Sequence, residues 1–387
     1  MINKVRQHYP LILLFIFVNG PWISNNIRLD FIIFVLIIIS ELFKVVFTYR
    51  ISFILLLLLI MLFFGTIFGF YLGNDNYRLY MTAYDSYLRI FIGLAIAKKI
   101  YGRYSFDQLV KYIIYILALP TYLITILWFV DAEITKEIIT VVFSPRLNTW
   151  HRFSGIFGLP YLASIFLSIN LFSITYLFLK KNKINLIVLF IINVFIGILT
   201  FSKTFILGLL LSILFVSIYF IRSGRFINYL LLGIISSFFI VMVYLFPELS
   251  RIESFTPSGI VDVIINRYSS SSGEVSAGQN MSKWHWFYGL GMGKSYAAMD
   301  SFFVELFSFY GIIGATCFFI ILYYFFTPIY FSKSQIKIDQ LYFIILLLFL
   351  FIAGIGSSSF VSDRSEVLIW TLISSGYLYS CEKNLLY

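Results

Sequence analysis

Apolar runs recur along the chain from residue 11 to residue 380, separated by short basic or polar stretches. Most approach the ~20 residues that a helix needs to cross a bilayer. The pattern predicts twelve helices: Leu11–Ile27, Phe31–Phe47, Ile51–Leu72, Tyr84–Ala97, Leu109–Val130, Leu159–Leu179, Ile184–Thr200, Thr204–Ile221, Phe226–Phe246, Ser301–Pro328, Gln340–Gly356 and Ser365–Ser380. The first, second and fourth are short or carry polar residues, so the count lies between ten and twelve. Gly65, Gly69 and Gly73 recur every four residues in the third, a small-residue stripe of the kind that lets helices pack closely. Two polar connections are long: Asp131–Gly158, and Pro247–Asp300 with its run RYSSSSGEVSAGQNMSKWHWFYG.

Composition makes the class firm. Of 387 residues 60% are hydrophobic and 12% charged, and mean hydropathy is +0.94. No soluble domain can bury so much apolar surface. The expectation is an all-α polytopic integral membrane protein, one transmembrane domain over residues 1–387. The N-terminal NKVRQHYPLILLFIFVNGPW resembles a signal peptide but has no small-x-small cleavage site, and reads as the first span. The net charge of +10 is unevenly placed. One set of connections, with both termini, holds 16 of the 28 bases and 4 of the 18 acids; the other holds the remaining bases and acids. That is positive-inside bias, with cytoplasmic termini and the long connections outside, and it leaves no need for nucleic acid as a partner. Cys317 and Cys381 imply no disulfide framework, and His8, His151 and His285 lie far apart, with no metal-ligand spacing. No ATP-binding motif is present, so a reaction here must be driven by its substrate.

The richest stretch is Trp284–Gly314, WHWFYGLGMGKSYAAMDSFFVELFSFYGIIG. It passes through closely spaced glycines into an apolar helix whose start carries Asp300 and Glu305. Carboxylates at that depth are costly unless paired or hydrated. At 1.5 Å per residue Glu305 falls about 7.5 Å further along that helix than Asp300. Two other segments stand out: HRFSGIFGLP (His151–Pro160) and LTFSKTFILG (Leu199–Gly208). Together the three resemble the O-antigen polymerase and ligase superfamily of bacterial envelope enzymes. The first is similar to that family's Arg-x-x-Gly and proline at a helix entrance. The second is similar to its Ser-Arg turn, with Lys203 in place of arginine. The third is similar to its Gly-x-Gly loop, polar pair and Gly-x-x-Gly. Ligases usually have His-Asn at the polar pair; Asp300-Ser301 resembles the Wzy-type polymerases instead. An Arg-x10-Gly pattern like that of some polymerase loops occurs at Arg267 and Gly278.

The resemblance implies a GT-C-like fold and an inverting glycosyltransferase of the inner membrane. It would polymerise undecaprenyl-diphosphate-linked repeat units on the periplasmic face. A flippase and a chain-length regulator would be its partners, and it would need no cofactor. The leaving diphosphate requires positive charge and the acceptor hydroxyl a base. With no Asp-x-Asp and no histidine cluster, protein cations are expected to serve in place of metal. Arg152 and Lys203 are the first of these, with Arg89 and Arg267 beside them. Arg152 could equally anchor a headgroup, Lys203 could snorkel, and Arg89 has Asp85 one helical turn away as a structural partner. Asp300 and Glu305 are the candidate bases, Asp300 being also a good helix cap. Trp284, Trp286 and Tyr288 could stack on sugars or belong to an interfacial aromatic belt.

Two alternatives remain: a ligase of the same superfamily, and a lipid-linked oligosaccharide flippase or transporter. The polar residues gather on one side and no internal repeat is found, which weighs against transport. The topology is directly testable. A reporter fused after Gly273 is expected to be exported, and one after Lys181 or Ser334 to stay cytoplasmic; a cytoplasmic Gly273 fusion would invert the assignment.

Overall fold

The computed structural model describes residues 2–24, 27–29, 32–33, 49–73, 77–143, 153–157, 159–200, 202–223, 285–289, 291, 302–330, 338–356, 360 and 365–385. Apart from one short hairpin, its regular structure is helical. In chain order come α1 (Ile2–Asn19), β1 (Trp22–Ser24), β2 (Ile27–Arg28), α2 (Tyr49–Tyr71) and α3 (Tyr77–Tyr101). Next are α4 (Phe106–Tyr112), α5 (Leu119–Val130), α6 (Ala132–Ile138), α7 (Pro160–Lys181), α8 (Ile184–Leu199) and α9 (Lys203–Ser223). Last are α10 (His285–Tyr288), α11 (Phe302–Tyr330), α12 (Ile338–Gly356) and α13 (Glu366–Leu385). Among the described residues five helical stretches are long and apolar enough to cross a membrane, and three more are apolar but shorter. The chain has the architecture of a helical membrane protein. The expected spans Phe31–Phe47 and Phe226–Phe246 fall outside the described residues but for two positions.

Local chemistry accounts for most boundaries. The first helix stops at Asn19 rather than continuing to Ile27, because Gly20-Pro21 interrupts it and the antiparallel β1–β2 hairpin follows. Ser105 and Gln108 form a reciprocal capping box at the start of α4. The expected span Leu109–Val130 is not one regular helix. A π-helical segment, Ile113–Leu117, joins α4 to α5, and Ala118 N–H donates to the Ile113 carbonyl at 3.1 Å. Pro120 supplies no N–H and its ring crowds the preceding turn, and the wider π turn just before it absorbs the mismatch. Asp131 ends α5 and caps α6, accepting from Glu133 and Ile134 N–H at 3.0 Å each. The long connection Asp131–Gly158 therefore opens as a helix.

Helix α7 is the axis of its half of the bundle, buried on every side from Leu162 to Leu177. Its small polar residues permit this. A Cβ on Gly208 of α9 would stand 2.1 Å from Ser168 Oγ, so the two helices touch there. Asn170 donates to Tyr122 OH at 2.7 Å and to Asn193 Oδ1 at 2.8 Å, tying α5 and α8 to α7. The outward faces, such as Val188, Ile191 and Phe195 on α8 or Leu123, Ile126 and Phe129 on α5, are exposed and apolar, as lipid contact requires.

One end of the bundle is ionic. Lys180 Nζ lies 2.7 Å from Asp107 and 3.5 Å from Asp339, and the Tyr176 hydroxyl contacts both carboxylates. Lys181 adds a contact to Asp107 at 3.7 Å. Lys99 and Arg103 lie over the Tyr9 ring, and His8 bonds Tyr104 OH. These residues come from connections that charge counting grouped on one side, and the fold gathers them at one end.

Helix α11 departs most from expectation. Gly311 has φ 60° and ψ −161°, a conformation open only to glycine. Phe302 and Phe318 rings lie 4.9 Å apart, and Phe303 and Phe319 rings 6.3 Å apart. A straight helix would separate Phe302 from Phe318 by about 24 Å. The expected single span Ser301–Pro328 is instead a helical hairpin, with 302–310 folded back along 312–330. Phe302 therefore lies further from the hairpin tip than Tyr310 does, and the depth order expected along this stretch is reversed.

Candidate functional site

At the end of the bundle opposite the ionic cluster, two of the sequence motifs meet. The Phe153 N–H donates to the Leu199 carbonyl at 3.0 Å, joining His151–Pro160 to Leu199–Gly208. Phe153 and Phe157 are buried and fix this segment, with a 3-10 turn at Gly155–Phe157 and Gly155 at φ 52°. Leu199–Gly208 forms the expected tight turn between two helices. Thr200 Oγ1 donates to the Gly197 carbonyl at 2.6 Å and lies 2.9 Å from Ser164 Oγ, which itself bonds the Pro160 carbonyl. Ser202 is buried and its carbonyl starts α9, leaving Lys203 exposed at the helix N-terminus. The result is a hydroxyl-lined turn beside an exposed lysine. The Thr121 hydroxyl is also buried near this point, since Gly155 backs onto the Thr121 methyl.

The third motif lies across the same end, on α2, α3, α11 and α13. Its Gly-x-Gly packs backbone on backbone. Gly289 and Gly291 have φ of 82° and 73°. A Cβ on Gly291 would stand 2.1 Å from the Gly69 nitrogen, and one on Gly289 2.5 Å from the Phe309 carbonyl. A Cβ on Gly311 would meet Gly289 N and Phe287 O at 2.5 Å each. The loop thus plugs the helix break, setting polar backbone against polar backbone where lipid would leave such groups unsatisfied. Tyr288 stacks on Phe68 at 3.9 Å, so one face of its ring is occupied in fastening the loop to α2.

Below the tip lies a buried polar cluster. Tyr87 and Tyr310 rings meet edge to face at 5.1 Å, and Thr66 Oγ1 lies 2.7 Å from Tyr84 OH. Glu305, half-buried on the folded-back arm, lies near both Tyr87 and Tyr310, and Glu366 lies near Tyr87. Arg89, at 3% exposure, and Glu366, at 0%, are buried charges of the kind that hydrocarbon surroundings make costly.

Of the residues singled out from sequence, Glu305, Lys203, Arg89 and Tyr288 are described with their side chains. Arg152, Arg267, Trp284 and Asp300 lie outside the described residues, as does the side chain of Trp286. Glu305 belongs to the polar cluster, and Arg89 is buried on the helix that carries Tyr87. Lys203 belongs to the hydroxyl-lined turn. Helix α12 stands between the two groups, touching α7 through Phe172–Phe349 and α11 through Phe303–Phe351. Sequence reasoning passed over Glu366, Tyr87 and Tyr310. Glu366 carried a legible signal, an acid in the first turn of an apolar helix. The tyrosines did not, being two among 28. Among the described residues no three His, Cys, Asp or Glu side chains converge as a metal site.

The glycine packing predicts a sharp sensitivity. Gly291→Ala, at positive φ and 2.1 Å from backbone, should reduce folded, membrane-inserted protein severely, whereas Gly102→Ala, with open space around it, should not. Yield of monodisperse protein in detergent reads the difference; equal yields would mean the loop does not seat on α2.

No family model, curated protein or solved structure matches this chain.

Proposed function

We propose that this chain is a glycosyltransferase that polymerises undecaprenyl-diphosphate-linked repeat units into O-antigen or a related surface polysaccharide. The full proposal is a GT-C-like membrane enzyme of about twelve spans in the bacterial inner membrane, with cytoplasmic termini and its site on the periplasmic face. The observation that carries it is the Phe153–Leu199 hydrogen bond, which brings two of the three family-like motifs together. Arg152 precedes Phe153 by one residue and Lys203 follows Ser202 by one, so two cations flank that contact in sequence. The third motif lies at the same end of the bundle, away from the Lys180–Asp107–Asp339 cluster.

In this reading the acceptor hydroxyl oxygen attacks the anomeric carbon of the growing glycan. The bond from that carbon to the diphosphate oxygen breaks, and the electron pair leaves with undecaprenyl diphosphate. The hydroxyl proton passes to Asp300 or Glu305. Negative charge developing on the leaving oxygen is met by Arg152, whose fork suits diphosphate, and by Lys203. Trp284 and Trp286 present rings for sugar stacking, with Tyr288 contributing its remaining face.

The deciding experiment gives the purified full chain a defined lipid-linked repeat unit. A ladder of longer lipid-linked products is expected, and unchanged single units would overturn the proposal. The ladder should persist in excess EDTA; loss that Mg²⁺ or Mn²⁺ restores would transfer the cation role to a metal.

Within that assay, Arg152→Ala should lower the rate about 100-fold, the scale of losing one charge-stabilising donor. Arg152→Lys should fall between it and the parent, and Lys203→Arg should retain most activity. Asp300→Asn keeps helix-capping ability while removing the charge, so an inserted, inactive protein is expected if Asp300 is the base. An active Asp300→Asn protein would pass that role to Glu305.

A further inference from the structure

Helices α2, α3, α11 and α13 leave between them a groove with about 310 Å³ of open space, its mouth included. Ile54, Leu94, Phe325 and Leu378, one from each helix, form its walls. The groove lies toward the ionic end. Leu378 precedes Tyr379, whose ring is 4.9 Å from Tyr101 and 6.0 Å from Phe106. The Phe106 ring in turn lies 5.5 Å from Tyr176 of the ionic cluster. Tyr324 and Tyr377 also line the groove, but their hydroxyls bond each other at 3.1 Å, and the accessible lining is apolar throughout. Lys98 stands one turn beyond Leu94 on the same face of α3, toward that end. It is exposed, so its stem contributes to the wall and its ammonium belongs to the mouth. Neighbouring cations are engaged: Lys99 with the Tyr9 ring, Lys180 with Asp107 and Asp339. Among the described residues Lys98 has no such partner. The negative end of α3 favours a lysine in its last turn, but that leaves the apolar groove beneath it unexplained.

We propose that this groove is a lipid site, seating part of one acyl chain of an anionic glycerophospholipid whose phosphate meets Lys98. An apolar slot with a single cation at its mouth matches that molecule in both halves. Hydrocarbon already surrounds membrane helices, so seating a chain gains packing rather than transfer out of water. Discrimination between lipids therefore rests with the headgroup. No acid lines the groove to hold the ammonium of a zwitterionic lipid, whereas a net negative phosphodiester leaves Lys98 neutralised. The seated chain fills the space between the long arm of the α11 hairpin and the α3–α13 pair. The site is separate from the motifs on which the polymerase reading rests, and it stands without that reading.

Native mass spectrometry of the full chain in detergent, offered equal amounts of phosphatidylglycerol and phosphatidylcholine with the same chains, tests the site. The first lipid retained by the parent should be phosphatidylglycerol by about fivefold, the scale of one lysine beside an anionic headgroup. Lys98→Gln, at an exposed position, should bring that ratio close to one. Lys183→Gln, an exposed lysine that does not line the groove, should leave it unchanged. Leu94→Phe, which fills the groove with Lys98 in place, should lower phosphatidylglycerol retention; Leu378→Phe serves if that variant is not recovered. Glycerol 1-phosphate, a headgroup without chains, should not compete at the lipid's concentration. Equal retention of the two lipids by the parent, or an unchanged ratio in Lys98→Gln, would overturn the proposal. An equal fall in Lys183→Gln would assign the preference to the basic surface at large and overturn it too. Full retention in the groove-filling variant, or competition by glycerol 1-phosphate, would remove the acyl chain from the site and leave only an anion contact.

Discussion

Hydrocarbon offers no water to an unpaired backbone group, and this constraint bears hardest where α11 reverses at Gly311. The break frees carbonyls at the end of 302–310 and N–H groups at the start of 312–330. The chain meets it with the backbone of 287–289, and that approach is possible only because Gly289 and Gly311 have no side chains where they meet. Gly291 extends the contact to Gly69, so loop, hairpin and α2 are held by four glycines in one patch. With the hairpin seated, Tyr310 reaches Tyr87, Phe318 reaches Trp370, and Glu305 enters the polar cluster. A folded-back helix capped by a polar loop is the form that non-helical backbone takes at a site rather than against lipid.

The two ends of the bundle handle charge differently. At the ionic end, lysines and aspartates from three helices sit partly exposed, where water shares the cost and each contact contributes little alone. Elsewhere, among the described residues, Arg89 and Glu366 are buried. Partly exposed pairs serve to join helices. Buried charges are expensive enough to need a reason.

The candidate groups form two sets with α12 between them. The hydroxyl-lined turn of α7, α8 and α9 offers an exposed lysine, whereas the α3–α11–α13 cluster offers carboxylates. A reaction that needs positive charge on a leaving diphosphate and a base on an acceptor hydroxyl needs both kinds of surface, on either side of the sugar that is transferred.

Hydropathy alone determined that this is a helical membrane protein, because the length and apolarity of a span are local properties fixed by bilayer thickness. Helix starts and stops were legible at Pro160 and in the Thr200–Lys203 turn, but the break at Gly20-Pro21 inside the expected Leu11–Ile27 was missed. Charge counting found the residues of the ionic end, since the same rule that orients spans gathers their bases. What tertiary structure alone decided was relative placement. The reversal at Gly311 could not be read from SFFVELFSFYGIIGATCFF, which has the hydropathy of a straight span, because its partners lie twenty and more than two hundred residues earlier, at Gly289–Gly291 and Gly69. Nor could the seating of Gly93 against Trp370, 277 positions apart, which depends on the register of two packed helices.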